Sequence, residues 1–142
     1  MKKLILFSLV LFLVGCESVM VLESATRQTI IPGTSSVEKF VNYKVEFRMK
    51  KEMELKIDSV IVSDEGKCYV SKYTILFNQS DVGDVIDHTG LFVLNVAIRK
   101  GQVSVKENCS STENQLTVYY SQGGNQNKMV VSTFKEETVR KR

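Results

Sequence analysis

The sequence predicts an all-β domain built as an antiparallel sandwich. Three observations carry that expectation. Apolar and polar residues alternate with a period of two from Val41 to Met49, the spacing of a strand with one face in a core and one in water. Turn-forming groups recur at short intervals, at Pro32-Gly33, Ser63-Asp64-Glu65-Gly66, Lys100-Gly101-Gln102 and Gly123-Gly124-Asn125, as sandwiches and barrels require. Beyond residue 16 almost no stretch carries the three-and-four apolar spacing of a helix.

Taken in order, residues 16–29 have no clean period. Val19, Met20, Val21 and Leu22 are apolar but mixed with polar neighbours, so the segment reads as a tether and residues 30–135 as the domain. Pro32-Gly33 turns the chain and Thr34-Ser35-Ser36 continues the loop. The first clear strand places Val41, Tyr43, Val45, Phe47 and Met49 inward, against Asn42, Lys44, Glu46, Arg48 and Lys50. Met53, Leu55 and Ile57 continue that pattern, and Val60, Ile61 and Val62 make it apolar on both faces, as in a more buried strand.

A second strand is expected from Cys68 to Asn78, with Tyr69, Tyr73, Ile75 and Phe77 on one face, and a polar loop from Asn78 to Gly90. Leu91 to Arg99 reads as a central strand. Lys100-Gly101-Gln102 then turns it into a hairpin with Val103 and Val105. Leu116, Val118 and Tyr120 form the next strand, Gln122 to Asn127 a second hairpin turn, and Met129 to Phe134 the last strand. Residues 136–142 read as a charged, solvated tail ending in Arg140-Lys141-Arg142. About seven strands at this spacing favour an immunoglobulin-like sandwich, with a small eight-stranded barrel as the alternative.

The first sixteen residues are an address rather than part of the fold. Lys2 and Lys3 precede an apolar run from Leu4 to Val14 that only Ser8 interrupts. That run is shorter than the roughly 20 residues a spanning helix needs, and has the length of a secretory signal. It closes on Leu13-Val14-Gly15-Cys16, which resembles the lipobox of bacterial lipoprotein precursors. The resemblance implies removal of residues 1–15, a diacylglycerol on the Cys16 sulfur and acylation, palmitate included, of the new amine. Multiple acyl chains anchor stably at ~0.8 kcal/mol per buried methylene, so the chain is expected on a membrane, facing the periplasm or cell surface. Pro32-Gly33, the strand bearing Tyr43 and Lys56-Ile57-Asp58-Ser59 more loosely resemble small lipoproteins of Bacteroidota. That likeness covers about a quarter of the chain and implies no activity.

Charge and cysteine content fit that address. The whole chain carries +3, but Lys2 and Lys3 leave with the signal, and 17 basic against 16 acidic side chains give the mature form +1. A near-neutral chain argues against a nucleic-acid partner. With Cys16 lipidated, Cys68 and Cys109 remain as a disulfide candidate in an oxidising compartment; the alternative is two free thiols, with Cys68 packed as a small apolar residue. Closing a loop of that length stabilises by roughly 4 kcal/mol in the chain-entropy account.

The residues offer little chemistry. His88 is the single histidine. With Asp84 or Asp87 and one of many serines it sketches a hydrolase, but no nucleophile motif supports one. Asp81, Asp84 and Asp87, with Gly83 between them, are weak candidates for calcium, because their spacing is not that of an EF-hand and Asp commonly stabilises turns. The five tyrosines read as rings on sheet surfaces with wet hydroxyls, and the adjacent Tyr119 and Tyr120 must face opposite ways. Asp58-Ser59-Val60 resembles a short O-glycosylation acceptor used in Bacteroidota, which makes Ser59 a candidate. Asn78-Gln79-Ser80 and Asn108-Cys109-Ser110 match the N-glycosylation pattern, a match that is usually coincidental in a bacterial lipoprotein.

The expectation is therefore a non-enzymatic envelope lipoprotein without a cofactor, binding an envelope protein or glycan or serving as an accessory subunit. Two alternatives remain: an inhibitor of an envelope enzyme such as lysozyme, and, behind it, a hydrolase centred on His88.

Overall fold

The computed structural model describes residues 19–99, 103–106, 109 and 113–142. The expected signal peptide and Cys16 lie outside the described residues, as do the expected turn at 100–102 and Asn108. The described chain is a sandwich of two open sheets, with no closed barrel. No helix among these residues is long and apolar enough to cross a membrane.

The strands, in order, are β1 (Met20–Ile31), β2 (Phe40–Met49), β3 (Leu55–Asp64), β4 (Lys67–Ser71), β5 (Tyr73–Phe77), β6 (Ser80–Asp81), β7 (Val85–Ile86), β8 (Gly90–Ile98), β9 (Ser104–Val105), β10 (Gln115–Gln122), β11 (Asn125–Val131) and β12 (Lys135–Arg140). One sheet runs β12-β1-β2-β8-β5-β6; the other runs β11-β10-β3-β4-β9, with β7 also on β3. Apart from the parallel pair β1 and β12, every pairing is antiparallel. With β12 and the two-residue strands set aside, the order is A-B-E-D facing G-F-C-C′, the immunoglobulin arrangement.

The alternation from Val41 to Met49 becomes β2, whose odd-numbered side chains face the second sheet. Val45, Phe47, Phe92, Leu94 and Val96 from one sheet meet Leu55, Val60, Val62, Leu116 and Val118 from the other, all buried. Burying a side chain of this kind contributes about 1.5–3 kcal/mol. Phe47 stacks on Phe92 with centroids 5.7 Å apart. The turn expected over Gln122 to Asn127 narrows to Gly123-Gly124, a two-residue loop between β10 and β11 with φ of 56° and 80°, the type I′ geometry that suits glycine; Gln122 and Asn125 to Asn127 are already strand.

Several expectations are corrected. The 16–29 tether is largely strand: β1 pairs with β2 over nearly its whole length and with β12 from Thr26 onward. A register shift between Leu22 and Ser24 hides its period, because the extra residue of a bulge reverses which parity faces inward. The expected continuous strand through Met53 to Val62 breaks at residues 50–54, and its two parts lie in different sheets. The expected strand from Cys68 to Asn78 likewise divides at Lys72. The 136–142 tail is mostly β12, an edge strand whose charges suit an exposed edge. The last expected strand, Met129–Phe134, is instead the end of β11 and its connection to β12.

Val103 and Val105 do not return along β8. β9 pairs with β4, Tyr69 opposite Val105, and Lys106 donates to the Cys68 carbonyl at 2.8 Å. The disulfide between Cys68 and Cys109 holds that crossing, with Cα atoms 5.9 Å apart. It therefore ties C′ to the segment before F rather than B to F as in antibody domains.

Candidate functional site

The bulge in β1 turns Arg27 inward, opposite Tyr43 of β2. Asp64, the last residue of β3, meets them from the other sheet. Arg27 grips the carboxylate with two bonds, Nη2 to Oδ1 at 2.9 Å and Nε to Oδ2 at 3.2 Å. Tyr43 donates its hydroxyl to Oδ2 at 2.7 Å and accepts from Arg27 Nε at 3.1 Å. Arg27 Nη1 reaches Glu136 of β12 at 3.2 Å. The Arg27 and Asp64 side chains are only 11% and 7% exposed, so the bridge is nearly dry.

That environment fixes protonation. Burial, then the hydrogen bond to Asp64, holds the Tyr43 phenol well above its ordinary range. Arg27 is raised further above its already high value, chiefly by its hydrogen bond to Asp64. Neither group exchanges a proton near neutral pH. The bridge therefore binds the two sheets and presents a hydrogen-bonded ion pair to the cleft.

Above the bridge the sheets part into a cleft of ≈ 290 Å³. Thr29, Phe40, Val41 and Ile98 line one wall, Glu65 and Tyr69 the other, and Lys39 lies just before β2. Arg27 and Asp64 complete the lining. Five of these nine residues, Arg27, Thr29, Lys39, Asp64 and Glu65, are polar or charged, so the cleft is more polar than an ordinary small-molecule pocket.

The residues expected from sequence do not converge there. Asp81 accepts from the Gly83 amide at 2.8 Å, Asp84 from the Tyr73 hydroxyl at 3.0 Å, and Asp87 pairs with His88 Nδ1 at 3.0 Å. The three carboxylates thus do separate local work, and no group of three His, Cys, Asp or Glu among the described residues could hold a metal. The calcium reading has no geometric support. His88 packs edge-on against Phe77 at 4.4 Å and near Phe92 at 5.1 Å. No serine, threonine or cysteine among the described residues hydrogen-bonds to it, so the sketched hydrolase triad is not assembled.

Ser59 lies within β3, opposite Tyr119 and half-buried, a place where its backbone is held in the ladder. Asn78 and Gln79 form the exposed turn between β5 and β6. Tyr119 is exposed while Tyr120 packs on the core, as adjacent strand residues must. Tyr43 corrects the expectation of a wet hydroxyl, being fully buried and bonded to Asp64. Tyr73 is half-buried, and burial followed by its bond to Asp84 pushes its phenol up to about 12. Arg27, Asp64 and the cleft escaped the sequence reading because Arg27 and Asp64 lie 37 residues apart with no local motif. No family model, curated protein or solved structure matches the chain.

Proposed function

We propose that this chain is a cell-envelope lipoprotein, acylated on Cys16, whose β-sandwich is a non-enzymatic binding module with the intersheet cleft as its binding site. The lipobox-like sequence before Cys16 motivates the anchor. The observation that carries the reading is the position of the cleft. Cys16 lies four residues before the start of β1, and β1 is 12 residues long, about 37 Å at about 3.4 Å per residue. Thr29 of the cleft sits toward the other end of that strand. A chain anchored at Cys16 therefore presents its cleft away from the membrane, where an envelope protein or glycan can reach it. Arg27, which lines the cleft and holds its proton more tightly than a free guanidinium, favours binding over catalysis.

Two measurements test this. Intact mass of the membrane-extracted protein should show loss of residues 1–15 and addition of acyl groups, with palmitate label incorporated. Pull-down from detergent-solubilised membranes should recover a stoichiometric partner, and a cleft-filling Val41→Trp variant should lose it. An unlabelled chain retaining Met1 would refute the anchor, and partner recovery unaffected by Val41→Trp would refute the cleft.

A further inference from the structure

We infer that the end of the sandwich around the cleft is a basic rim that grips an acidic polysaccharide. This rests on the cleft being the binding site and specifies its ligand. The fold gathers cations that lie far apart in sequence. Arg140 pairs with Ile31 across β12 and β1, and the Lys141 amide donates to the Ile31 carbonyl at 2.9 Å. Ile30 pairs with Phe40, which Lys39 precedes. Val41 pairs with Ile98, and the following Arg99 lays its guanidinium 4.0 Å from the centroid of the Phe40 ring. Arg142 closes the group, held with Lys141 against Gly33, where any side chain would collide with the Lys141 carbonyl.

Lys39, Arg99, Arg140, Lys141 and Arg142 are all exposed. None forms an ion pair with a carboxylate among the described residues. Glu136 and Glu137 of the same strand turn to Arg27 and to Gln28 and Lys135 instead. With Arg27 counted among them, six cations against Glu38, Glu65, Asp64 and Glu136 leave an excess of two. The opposite end has the reverse sign: Glu52, Glu54, Asp81, Asp84 and Asp87 outnumber Lys50 and Lys51. Lys39 and Arg99 flank neighbouring strands about 4.8 Å apart, and Arg140 lies two strands, about 10 Å, from Lys39, so each cation falls within or close to a Debye length of about 8 Å of the next and their fields overlap. A net charge near +1 concealed it, because the two ends cancel.

The cleft selects among anionic partners. Thr29 and Tyr69 line the cleft beside Phe40, and no side-chain hydrogen bond engages either hydroxyl among the described residues. Hydroxyl donors and acceptors beside aromatic faces suit a sugar polymer, and the surrounding cations suit its carboxylate or sulfate groups. An anchor on Cys16 points this rim away from its own lipid headgroups.

The test uses the full-length protein in detergent. Its retention is measured on immobilised dextran sulfate and on neutral dextran, with flotation on anionic phospholipid vesicles alongside. Retention on dextran sulfate that disappears at high salt is expected. The variant Arg140→Gln/Lys141→Gln/Arg142→Gln should weaken it by roughly tenfold or more. The charge-matched Lys56→Gln/Lys72→Gln/Lys128→Gln variant, on exposed positions elsewhere, should hold within about twofold. Equal losses in the two variants, equal retention on neutral dextran, or flotation without retention on dextran sulfate would each overturn the proposal. The acyl mass and the Val41→Trp result are read separately, so failure of the anchor or of the cleft is distinguished from failure of the rim.

Discussion

Replacing Asp64 by Ala tests whether the bridge is a single electrostatic unit. The substitution removes three hydrogen bonds, two from Arg27 and one from Tyr43. It leaves a guanidinium with an 11% exposed side chain, whose remaining carboxylate partner, Glu136, is 59% exposed. It also leaves a fully buried phenol whose proton has no acceptor. Breaking a buried pair by deleting one partner costs about 3–5 kcal/mol, and an orphaned hydroxyl about 1–3 kcal/mol. The two overlap, so a loss of about 4 kcal/mol is expected, a large part of the roughly 5–15 kcal/mol that holds a domain together. The assay is urea unfolding with the disulfide intact, comparing midpoints at constant slope. Tyr43→Phe should cost about 1 kcal/mol alone and less than that, or nothing, after Asp64→Ala. Arg27→Met/Asp64→Leu together should be far milder than Asp64→Ala. A loss below about 1 kcal/mol for Asp64→Ala, or the same Tyr43→Phe cost in both backgrounds, would refute the coupling.

Three further outcomes are expected. The unfolded phenol of Tyr73 titrates near 10 and the folded one at about 12, so its contribution is present below pH 10 and lost as pH rises toward 12; Tyr73→Phe should flatten that alkaline limb in pH-dependent urea melts. Removing the bond with Cys68→Ser/Cys109→Ser, which frees a sequence separation of 41, should lower stability by roughly 4 kcal/mol in the chain-entropy account, read from urea melts, and should speed amide exchange in β4 and β9. Gly33→Val should cost about 1–3 kcal/mol because its Cβ would lie 2.5 Å from the Lys141 carbonyl oxygen, and faster amide exchange at Val139–Lys141 would show the end of β12 released.

Local alternation was enough to find β2, β8 and the β10–β11 hairpin, because each keeps one parity inward along its length. β1 was hidden by its bulge, and because its inward residues past that bulge are Ala25, Arg27 and Thr29 rather than large apolar groups. Period also cannot say which sheet a strand joins. The change of sheet at Lys72 and the crossing of β9 to β4 are set by long-range pairing and by a disulfide, neither of which leaves a local pattern. β12 carries four charges in six residues and therefore looks like solvated tail, although charge is what protects an exposed edge from mispairing. Of the candidate site, Val41 and Tyr69 were legible as strand residues. Their meeting with Arg27 and Asp64 was not, because it depends on how two sheets face each other.

One extra residue in β1 links these features. Without the shift at Leu22/Ser24, the inward positions beyond it would fall to Thr26 and Gln28, and Arg27 would point to solvent. Arg27 would then have no buried carboxylate to reach, and Asp64 would keep the Tyr43 hydroxyl but lose its cation. With the shift, a long cation from one sheet and a carboxylate from the other span the gap by hydrogen bonds rather than by interdigitated side chains. An apolar pair of matching volume could serve stability equally well or better. The charged bridge does what such a pair would not: it stops the core short of the strand ends and floors a cleft with an ion pair. The rim cations stand beyond that floor, Lys39 just before β2, Arg99 just after β8 and Arg140 in β12, and the register of β1 that turns Arg27 inward also sets Arg140, paired with Ile31.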